Sequence, residues 1–176
     1  MAITSLFFVS DCFQKEFIYP IKYKAEVISA SQKYGLESAF VFAVINVESS
    51  FDANATSSAG AKGLMQITTK TGEFIARRLN MPCDLYDAKT NIEFGCYYFR
   101  YLFDRFSCFE TAIVAYNAGE GTVGGRLKDS KLSYDGESLN EIPYPESKEY
   151  LEKIKKTFKK YKELYGKFLD KNKNIE

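Results

Sequence analysis

The run from Val41 to Val47 is apolar at every position except Asn46, and Glu48 follows it directly. Because a helix that is apolar on all its faces has to be buried, this run predicts a core helix. A carboxylate at the end of such a helix is costly to ionise, so it either finds a partner or keeps its proton with a raised pKa. A lone glutamate at this place more often caps or solvates its helix, so the other motifs have to decide its role.

Helical periodicity extends over almost the whole chain and predicts an all-α fold with little or no sheet. Gly35 is a good end for the first helix, Ser38 is a suitable cap for the second, and the last helix begins at Pro145 or Ser147 and ends near Phe168. Two segments rich in Gly, Ser and Asn, 52–63 and 119–141, predict loops, the second with room for a short β-ribbon. The predicted helices cover residues 24–34, 38–48, 69–79, 87–106, 110–117 and 145–168.

Length and composition exclude several classes of protein. A chain of 176 residues suits one domain, and a formal net charge of +1 gives no sign of nucleic-acid binding. The chain has no histidine. This removes nucleophilic schemes that pair histidine with serine or cysteine, and most zinc sites, so carboxylates and tyrosines remain for proton chemistry. The sequence implies no metal and no organic cofactor.

The four cysteines, Cys12, Cys83, Cys96 and Cys108, form no CxxC pair. Metal binding through them is therefore not expected, and any disulfide pairing cannot be deduced from the spacing. Residues 3–9 are apolar but too few to span a bilayer, and they lack a basic leader. We interpret residues 1–18 as a docking segment or the stub of a trimmed leader, with the native leader absent from this chain, and residues 170–176 as a frayed tail.

Four segments carry residues suited to carbohydrate chemistry: Glu48–Phe51, Ser57–Ile67, Ala115–Gly119 and Ile142–Tyr150. Taken singly, each fits a structural role, such as a glycine turn, a helix end or a helix cap. Together, and in this order, they resemble the catalytic domain of the soluble lytic transglycosylase family, family 1. The resemblance covers most of the chain, and its most specific parts are the Gly-Leu-Met-Gln and Ala-Tyr-Asn-Ala-Gly segments.

This resemblance implies a lysozyme-like helical domain, here residues 19–169, that acts on bacterial peptidoglycan outside the cytoplasm. Glu48 matches the single catalytic acid of the family, and Tyr116 is expected to hold its carboxyl group in place. Thr68 and Ser147 depart from the family pattern, which more often has methionine and threonine there. The residues that match the saccharide-binding positions of the family are Ser57, Gln66, Tyr116, Asn117, Glu146 and Tyr150.

The implied reaction needs only one carboxylic acid. Glu48 would protonate the β-1,4 glycosidic oxygen between N-acetylmuramic acid and N-acetylglucosamine, and then take a proton from the C6 hydroxyl of the muramyl residue. A 1,6-anhydromuramyl product forms without water. Asp52, Glu73 and Glu120 are expected at the surface and not as a second catalytic carboxylate.

Two alternatives remain open at this point. One is a hydrolytic muramidase on the same fold, and the other is a non-catalytic peptidoglycan-binding module of an apparatus that spans the cell wall. The C-terminal region from Lys148 onward has ten lysines and five acids. Such a charge run is most often a solvated face, but it could also attract anionic wall polymers or a membrane surface.

Overall fold

The computed structural model describes residues 12–171 of the chain. A short π-helical segment, Gln14–Ile18, is followed in this part of the chain by seven α-helices. They are α1 (Lys24–Lys33), α2 (Ser38–Ser49), α3 (Thr69–Leu79), α4 (Ala88–Arg105), α5 (Phe109–Ala118), α6 (Glu120–Arg126) and α7 (Pro145–Lys171). Within residues 12–171 there is no strand, and sheet-like pairing is limited to isolated bridges of Lys62 with Thr56 and with Ile67. The predicted all-α class is confirmed.

Helix α2 is the centre of the fold. Residues 38–45 are all buried, as expected for a helix that is apolar on every face. The ring centroid of Phe40 lies 4.9–5.8 Å from four other phenylalanine rings, and these contacts join α2 to α4, α5 and α7. Those rings belong to Phe99, Phe103, Phe109 and Phe158. Packing on several sides therefore fixes the axis of α2, and with it the place where Glu48 leaves the core.

Three details differ from the prediction. Ser38 is the first residue of α2 and not its cap, since Glu37 holds the N-cap position and the Ser38 hydroxyl lies 2.7 Å from that of Ser31. Part of the predicted loop 119–141 is helix α6, which places Val123 in the core, and the short ribbon is absent from that segment. Helix α7 continues past Phe168 to Lys171, so the predicted frayed tail is helical at its first two residues.

The two ends of the chain lie partly outside the described residues. Residues 1–11, with most of the predicted N-terminal stub, and residues 172–176 fall in this category. The segment that follows residue 11 packs on the domain: Tyr165 of α7 donates a hydrogen bond to the carbonyl of Tyr19 at 2.8 Å, and Asn46 donates to that of Ile18 at 2.9 Å. None of the helices in residues 12–171 is both long enough and apolar enough to cross a lipid bilayer.

Candidate active site

Glu48 lies in the last turn of α2, half-buried, with its carboxyl group next to α7. The hydroxyl of Tyr150, a buried residue of α7, donates a hydrogen bond of 2.6 Å to Glu48 Oε1. Burial raises the pKa of Glu48 to about 7, although the hydrogen bond from Tyr150 acts in the opposite direction. Within residues 12–171 no lysine or arginine forms a salt bridge with Glu48. The carboxylic acid of Glu48 therefore keeps its proton to a higher pH than an exposed glutamate does.

Helix α2 ends one residue after Glu48, at Ser49. Ser50 and Phe51 both adopt left-handed backbone conformations, with φ of 51° and 65°, which residues other than glycine seldom do. The buried ring of Phe51, 6.3 Å from that of Phe42, anchors this turn in the core. Burial of a large aromatic side chain offsets the backbone strain, so the turn holds the end of α2 in place.

Ser49 connects the end of α2 to the loop between α2 and α3. Its hydroxyl donates to the carbonyl of Leu64 at 2.8 Å, so the residue next to the acid is bonded to the Gly-Leu-Met-Gln segment. Leu64 and Met65 are fully buried. The loop is consequently anchored twice: the side chains of Leu64 and Met65 lie in the core, and the hydroxyl of Ser49 bonds to the loop backbone.

Asn91, a fully buried residue of α4, binds the same loop through its side chain. Its carbonyl oxygen accepts from the backbone N–H of Met65 at 2.7 Å. Its amide group donates to the carbonyls of Lys62 and Leu85, at 2.9 and 2.8 Å. All three bonds are to backbone groups, so a single buried side chain joins α4 to the backbone at Lys62, Met65 and Leu85.

Gly63 is required where this loop meets Asn91. Its φ is 75°, and a Cβ at this position would lie 2.2 Å from the carbonyl oxygen of Leu85 and 2.3 Å from the Asn91 amide nitrogen. Gly60, in contrast, has a φ of 78° but nothing within 4 Å of an added Cβ. The first glycine serves close packing and the second serves only the turn.

Two of the sequence-predicted binding residues belong to this loop. The exposed Ser57 accepts a hydrogen bond from the N–H of Ala61 at 3.1 Å, which shapes the tip of the loop. Gln66 has a left-handed backbone, with φ of 49°, and its amide nitrogen donates to the carbonyl of Gly63 at 2.9 Å. The Gln66 side chain is thereby fixed in orientation, with its carbonyl oxygen left to accept from a ligand.

Tyr116, in α5, does not hold the Glu48 carboxyl as expected. Its hydroxyl donates to the backbone carbonyl of Met65 at 2.6 Å, and its ring stacks on Phe99 with centroids 4.0 Å apart. The expected contact is wrong in this respect, since Tyr150 makes the bond to Glu48. Burial, followed by the charge of Glu48, raises the pKa of Tyr116 well above its usual value, so it stays a neutral neighbour of the acid.

Asn117 and Glu146 lie at the surface, where α5 meets the start of α7. The hydroxyl of Ser147, which is buried, donates to the side-chain oxygen of Asn117 at 2.8 Å. This bond orients the Asn117 amide and leaves its N–H groups to donate elsewhere. Glu146 lies in the first turn of α7, where a negative charge is favourable for the helix dipole.

Three further carboxylates, those of Asp52, Glu73 and Glu120, were expected at the surface. Asp52 and Glu73 are exposed, as predicted. Glu120 is only half exposed, and not a free surface group, because it forms a salt bridge of 3.0 Å with Arg105. Burial and the bond from Tyr150 account for the shifted pKa of Glu48, with no contribution from another carboxylate in residues 12–171.

Sequence reasoning gave no site role to Ser49 or Asn91, the residues that position the loop beside Glu48. A signal was present for Asn91, because a lone asparagine on the apolar side of a long helix needs several hydrogen-bond partners. Ser49 has no comparable signal, since a serine at a helix end satisfies its hydroxyl in many ways. The hydroxyl of Tyr150 could be placed only by knowing how α7 packs on α2.

An all-α domain with one proton-bearing glutamate at the end of its central helix has the fold of solved lytic transglycosylases. The fold matches that of the 70 kDa soluble lytic transglycosylase from Escherichia coli, with a TM-score of 0.72 and 24% identity over 84% of this chain and 25% of that one. A structure of an inactive mutant of the lytic transglycosylase Slt from Pseudomonas aeruginosa is similar, with a TM-score of 0.70 and 29% identity over 82% of this chain and 24% of that one. The fold is thus lysozyme-like, as the resemblance implied.

Residues 26–137 match the family model described as the transglycosylase SLT domain. The chain therefore belongs to the transglycosylase SLT domain family.

Curated relatives agree with this family. The soluble lytic murein transglycosylase of Escherichia coli K12 is 30% identical over 128 residues, which cover 68% of this chain and 20% of the relative. The membrane-bound lytic murein transglycosylase C of Haemophilus ducreyi is 28% identical over 167 residues, covering 80% of this chain and 45% of the relative. This chain thus spans less than half the length of these relatives.

Proposed function

We propose that this chain is a lytic transglycosylase that cleaves the β-1,4 bond between N-acetylmuramic acid and N-acetylglucosamine in peptidoglycan. The observation that carries the proposal is the environment of Glu48, which is half-buried at the end of α2, has a pKa raised by burial to about 7 and forms no salt bridge within residues 12–171. Membership of the SLT domain family supports it.

Glu48 first donates its proton to the glycosidic oxygen, and the bond from that oxygen to C1 of the muramyl residue breaks. The acetamido group of the same residue stabilises the positive charge that develops at C1. Glu48, now a carboxylate, takes the proton from the C6 hydroxyl, and the C6 oxygen bonds to C1. A pKa near the working pH suits a group that has to act as an acid and then as a base.

One carboxylate is sufficient because the nucleophile belongs to the substrate. Most glycosidases use two carboxyl groups about 5 to 10 Å apart, one of which activates water or attacks the sugar. In the proposed reaction the C6 hydroxyl is already held close to C1, so proximity replaces that second group. This agrees with the exposure of Asp52 and Glu73 and with the ion pairing of Glu120.

We further propose that the neutral polar groups around Glu48 bind the glycan, whose hydroxyl and acetamido groups need donors and acceptors. The oriented amides of Gln66 and Asn117 suit this role, and Ser57 and Glu146 lie at exposed positions suited to flanking sugars. Tyr150 positions the acid through its hydroxyl. We assign the catalytic domain to residues 19–169.

Peptidoglycan lies outside the cytoplasmic membrane, so the proposed activity requires an extracytoplasmic location. The relatives include proteins named as soluble and as membrane-bound, which fits either mode of delivery. Helix α7 could add contact with an anionic wall polymer or membrane surface through exposed lysines that have no salt-bridge partner within residues 12–171. They are Lys148, Lys153, Lys156, Lys159 and Lys167. Co-sedimentation with anionic vesicles, which should exceed that with neutral vesicles and weaken at high salt, tests this contact.

Digestion of purified sacculi followed by mass analysis of the products tests the activity. The wild-type protein should release anhydromuramyl products, and Glu48→Gln should release none, because the amide can neither donate nor recover the proton. Products that are heavier by one water would instead identify a muramidase. Binding to sacculi without any release by the wild type would identify a non-catalytic wall-binding module.

A further inference from the structure

An apolar patch lies on the short segment that precedes α1, in residues that the proposed mechanism does not use. It consists of Phe13, Phe17 and Ile18, which are 55%, 66% and 45% exposed, and the two phenylalanine rings have their centroids 5.0 Å apart. Residues 12–171 contain six exposed large hydrophobic side chains, and three of them fall within the six positions from 13 to 18. Apolar side chains that cluster at the surface in this way indicate contact with an apolar partner.

The backbone beneath the apolar patch is bonded to the domain. Tyr165 of α7 donates to the carbonyls of Lys15 and Tyr19, at 3.2 and 2.8 Å. Asn46 of α2 donates to the carbonyl of Ile18 at 2.9 Å. Two helices therefore hold the segment while its apolar side chains remain in solvent. One of these helices, α2, is the one that carries the proposed acid near its end.

The apolar patch is accompanied by positive charge. Lys15, Lys22 and Lys24 are exposed, and none of them forms a salt bridge within residues 12–171. Glu16 is the acidic residue of the segment 12–24. Three lysines and one glutamate give that segment a net charge of +2, which favours an anionic partner.

Lysine beside exposed phenylalanine favours a membrane surface over a protein partner. Protein interfaces are depleted in lysine, even though they are enriched in aromatic residues. At a bilayer, in contrast, aromatic side chains enter the boundary between head groups and acyl chains, while lysines stay among the anionic head groups. The sequence before the apolar patch has a similar character, because five of the seven residues from Ile3 to Val9 are apolar.

Tyr134 provides a contrast within the same molecule. Its side chain is 82% exposed, but the surrounding residues 128–137 include no second exposed large hydrophobic side chain. That segment has three acids and two lysines, hence a net charge of −1. Exposure of one aromatic ring is therefore found without the clustering and the positive charge that distinguish residues 12–24.

We propose that the apolar patch inserts into the surface of an anionic phospholipid bilayer, with the three lysines among its head groups. Burial of the two rings and the isoleucine supplies the hydrophobic part of the binding, and the lysines supply the electrostatic part. The interaction goes beyond the proposed catalytic function and does not depend on it. Because α2 is bonded to the same segment, docking holds the domain, with its candidate active site, in one orientation towards the membrane.

Vesicle binding by the full chain tests the hydrophobic part. The probes are vesicles of phosphatidylcholine alone and of phosphatidylcholine mixed with phosphatidylglycerol, and the wild type should prefer the mixed vesicles. Phe13→Ser/Phe17→Ser should weaken binding to the mixed vesicles on the order of tenfold or more. Tyr134→Ser, which removes a more exposed ring elsewhere, is the matched control and should leave binding unchanged. The lysines of α7 are intact in all of these variants, so their contribution is constant.

The electrostatic part is tested in the same assay. Lys15→Gln/Lys22→Gln should weaken binding to the mixed vesicles on the order of tenfold, and should not change binding to phosphatidylcholine alone. Lys128→Gln/Lys131→Gln removes two exposed lysines from the segment around Tyr134 and should change neither affinity. Equal losses in the two lysine variants would show that net charge, and not this surface, attracts the membrane, and would overturn the proposal.

Insertion itself can be observed directly, because the chain contains no tryptophan. Phe17→Trp introduces a single fluorophore, whose emission should shift to the blue with mixed vesicles and be quenched by brominated lipid. The emission of Tyr134→Trp should stay unchanged. An unchanged emission of Phe17→Trp, or no loss of binding in Phe13→Ser/Phe17→Ser, would refute the proposal. A blue shift without vesicles that grows with protein concentration would also refute it, since a second copy of the chain would then cover the patch.

Discussion

Glu48 is held from two sides that are built differently. On the loop side, Ser49, Gly63 and Asn91 fix the backbone through buried contacts with other backbone groups. On the α7 side, Tyr150 and Ser147 reach the site only through their hydroxyls, one bonded to the acid and the other to Asn117. Helix α7 also packs on α2 through Phe158, but its two hydroxyls act on the acid and on the Asn117 amide, whereas the loop contacts act on the backbone. Substitutions on the loop side should therefore change mainly the free energy of unfolding. Substitutions at the two α7 hydroxyls should change mainly the pKa of Glu48 and the binding of substrate.

The largest effect is expected at Gly63. Gly63→Ala should lower the free energy of unfolding by about 4 kcal/mol, because backbone strain at positive φ is added to a clash with the Leu85 carbonyl and the Asn91 amide. Urea unfolding measures this, with Gly60→Ala as the control, since that glycine has a similar φ and open space around it. The control should lose about 1 kcal/mol. Similar losses at both positions would mean that the packing of the loop on Asn91 is unimportant.

Glu48 itself, shared by the two sides, should reduce stability when it ionises. Its pKa is raised from 4.5 to about 7 by burial, so the unfolded chain releases this proton at lower pH than the folded protein does. Stability is unaffected below pH 4.5, falls as the pH rises to about 7, and then stays lower by about 3 kcal/mol. Glu48→Gln should therefore match the wild type at pH 4 and be more stable at pH 8, as measured by urea unfolding. Equal stability of the two proteins at pH 8 would contradict the raised pKa.

On the α7 side, Tyr150→Phe should change the pH profile more than the stability. The hydrogen bond from Tyr150 lowers the pKa of Glu48, so its removal should raise that pKa, by about one unit for a bond to a charged group. The rate of sacculus cleavage, which needs protonated Glu48, should then decline at a higher pH than in the wild type. Tyr116→Phe is the control, because that hydroxyl bonds to a backbone carbonyl instead. A pH profile of Tyr150→Phe that is unchanged or moved to lower pH would show that this hydroxyl does not set the proton affinity of Glu48.

The smallest effect is expected at Ser147. Ser147→Ala releases the side chain of Asn117 and should raise the KM for peptidoglycan by a few-fold, equivalent to about 1 kcal/mol for one hydrogen bond. Ser147→Thr keeps the hydroxyl and should restore the wild-type KM. Cleavage rates over a range of sacculus concentrations measure both. If the threonine variant were as weak as the alanine variant, then volume and not the hydrogen bond would be the cause.

The helices were predictable where local periodicity and end signals agree with the tertiary packing. Helix α3 has its predicted bounds, since Thr68 caps it and Asn80 ends it in a left-handed conformation. Helix α6 was not predictable, because glycines at 121, 124 and 125 give it a poor helix propensity. It forms because burial of Val123 in the core outweighs that propensity.

The sequence predicted which residues form the candidate site better than it predicted the hydrogen bonds between them. The apolar run before Glu48 already indicated a buried acid, and the pKa of about 7 agrees with that argument. The prediction that Tyr116 contacts the acid was wrong, because Tyr150 makes this contact. The sequence could not decide between the two tyrosines, since the choice depends on how their helices pack. The groove between α3 and α4 was not visible either, because Lys70 and Arg77 come together with Tyr98 only after α3 packs beside α4.

The bond between Tyr150 and Glu48 joins residues 102 positions apart in the chain. During synthesis on the ribosome the glutamate emerges long before its partner, so a nascent chain contains the acid without the tyrosine that holds it. A message truncated before the codon for Tyr150 would likewise encode Ser49, Gly63 and Asn91 of the loop side and still lack this contact. The order of translation thus makes the proton-transfer geometry one of the last features of the domain to form.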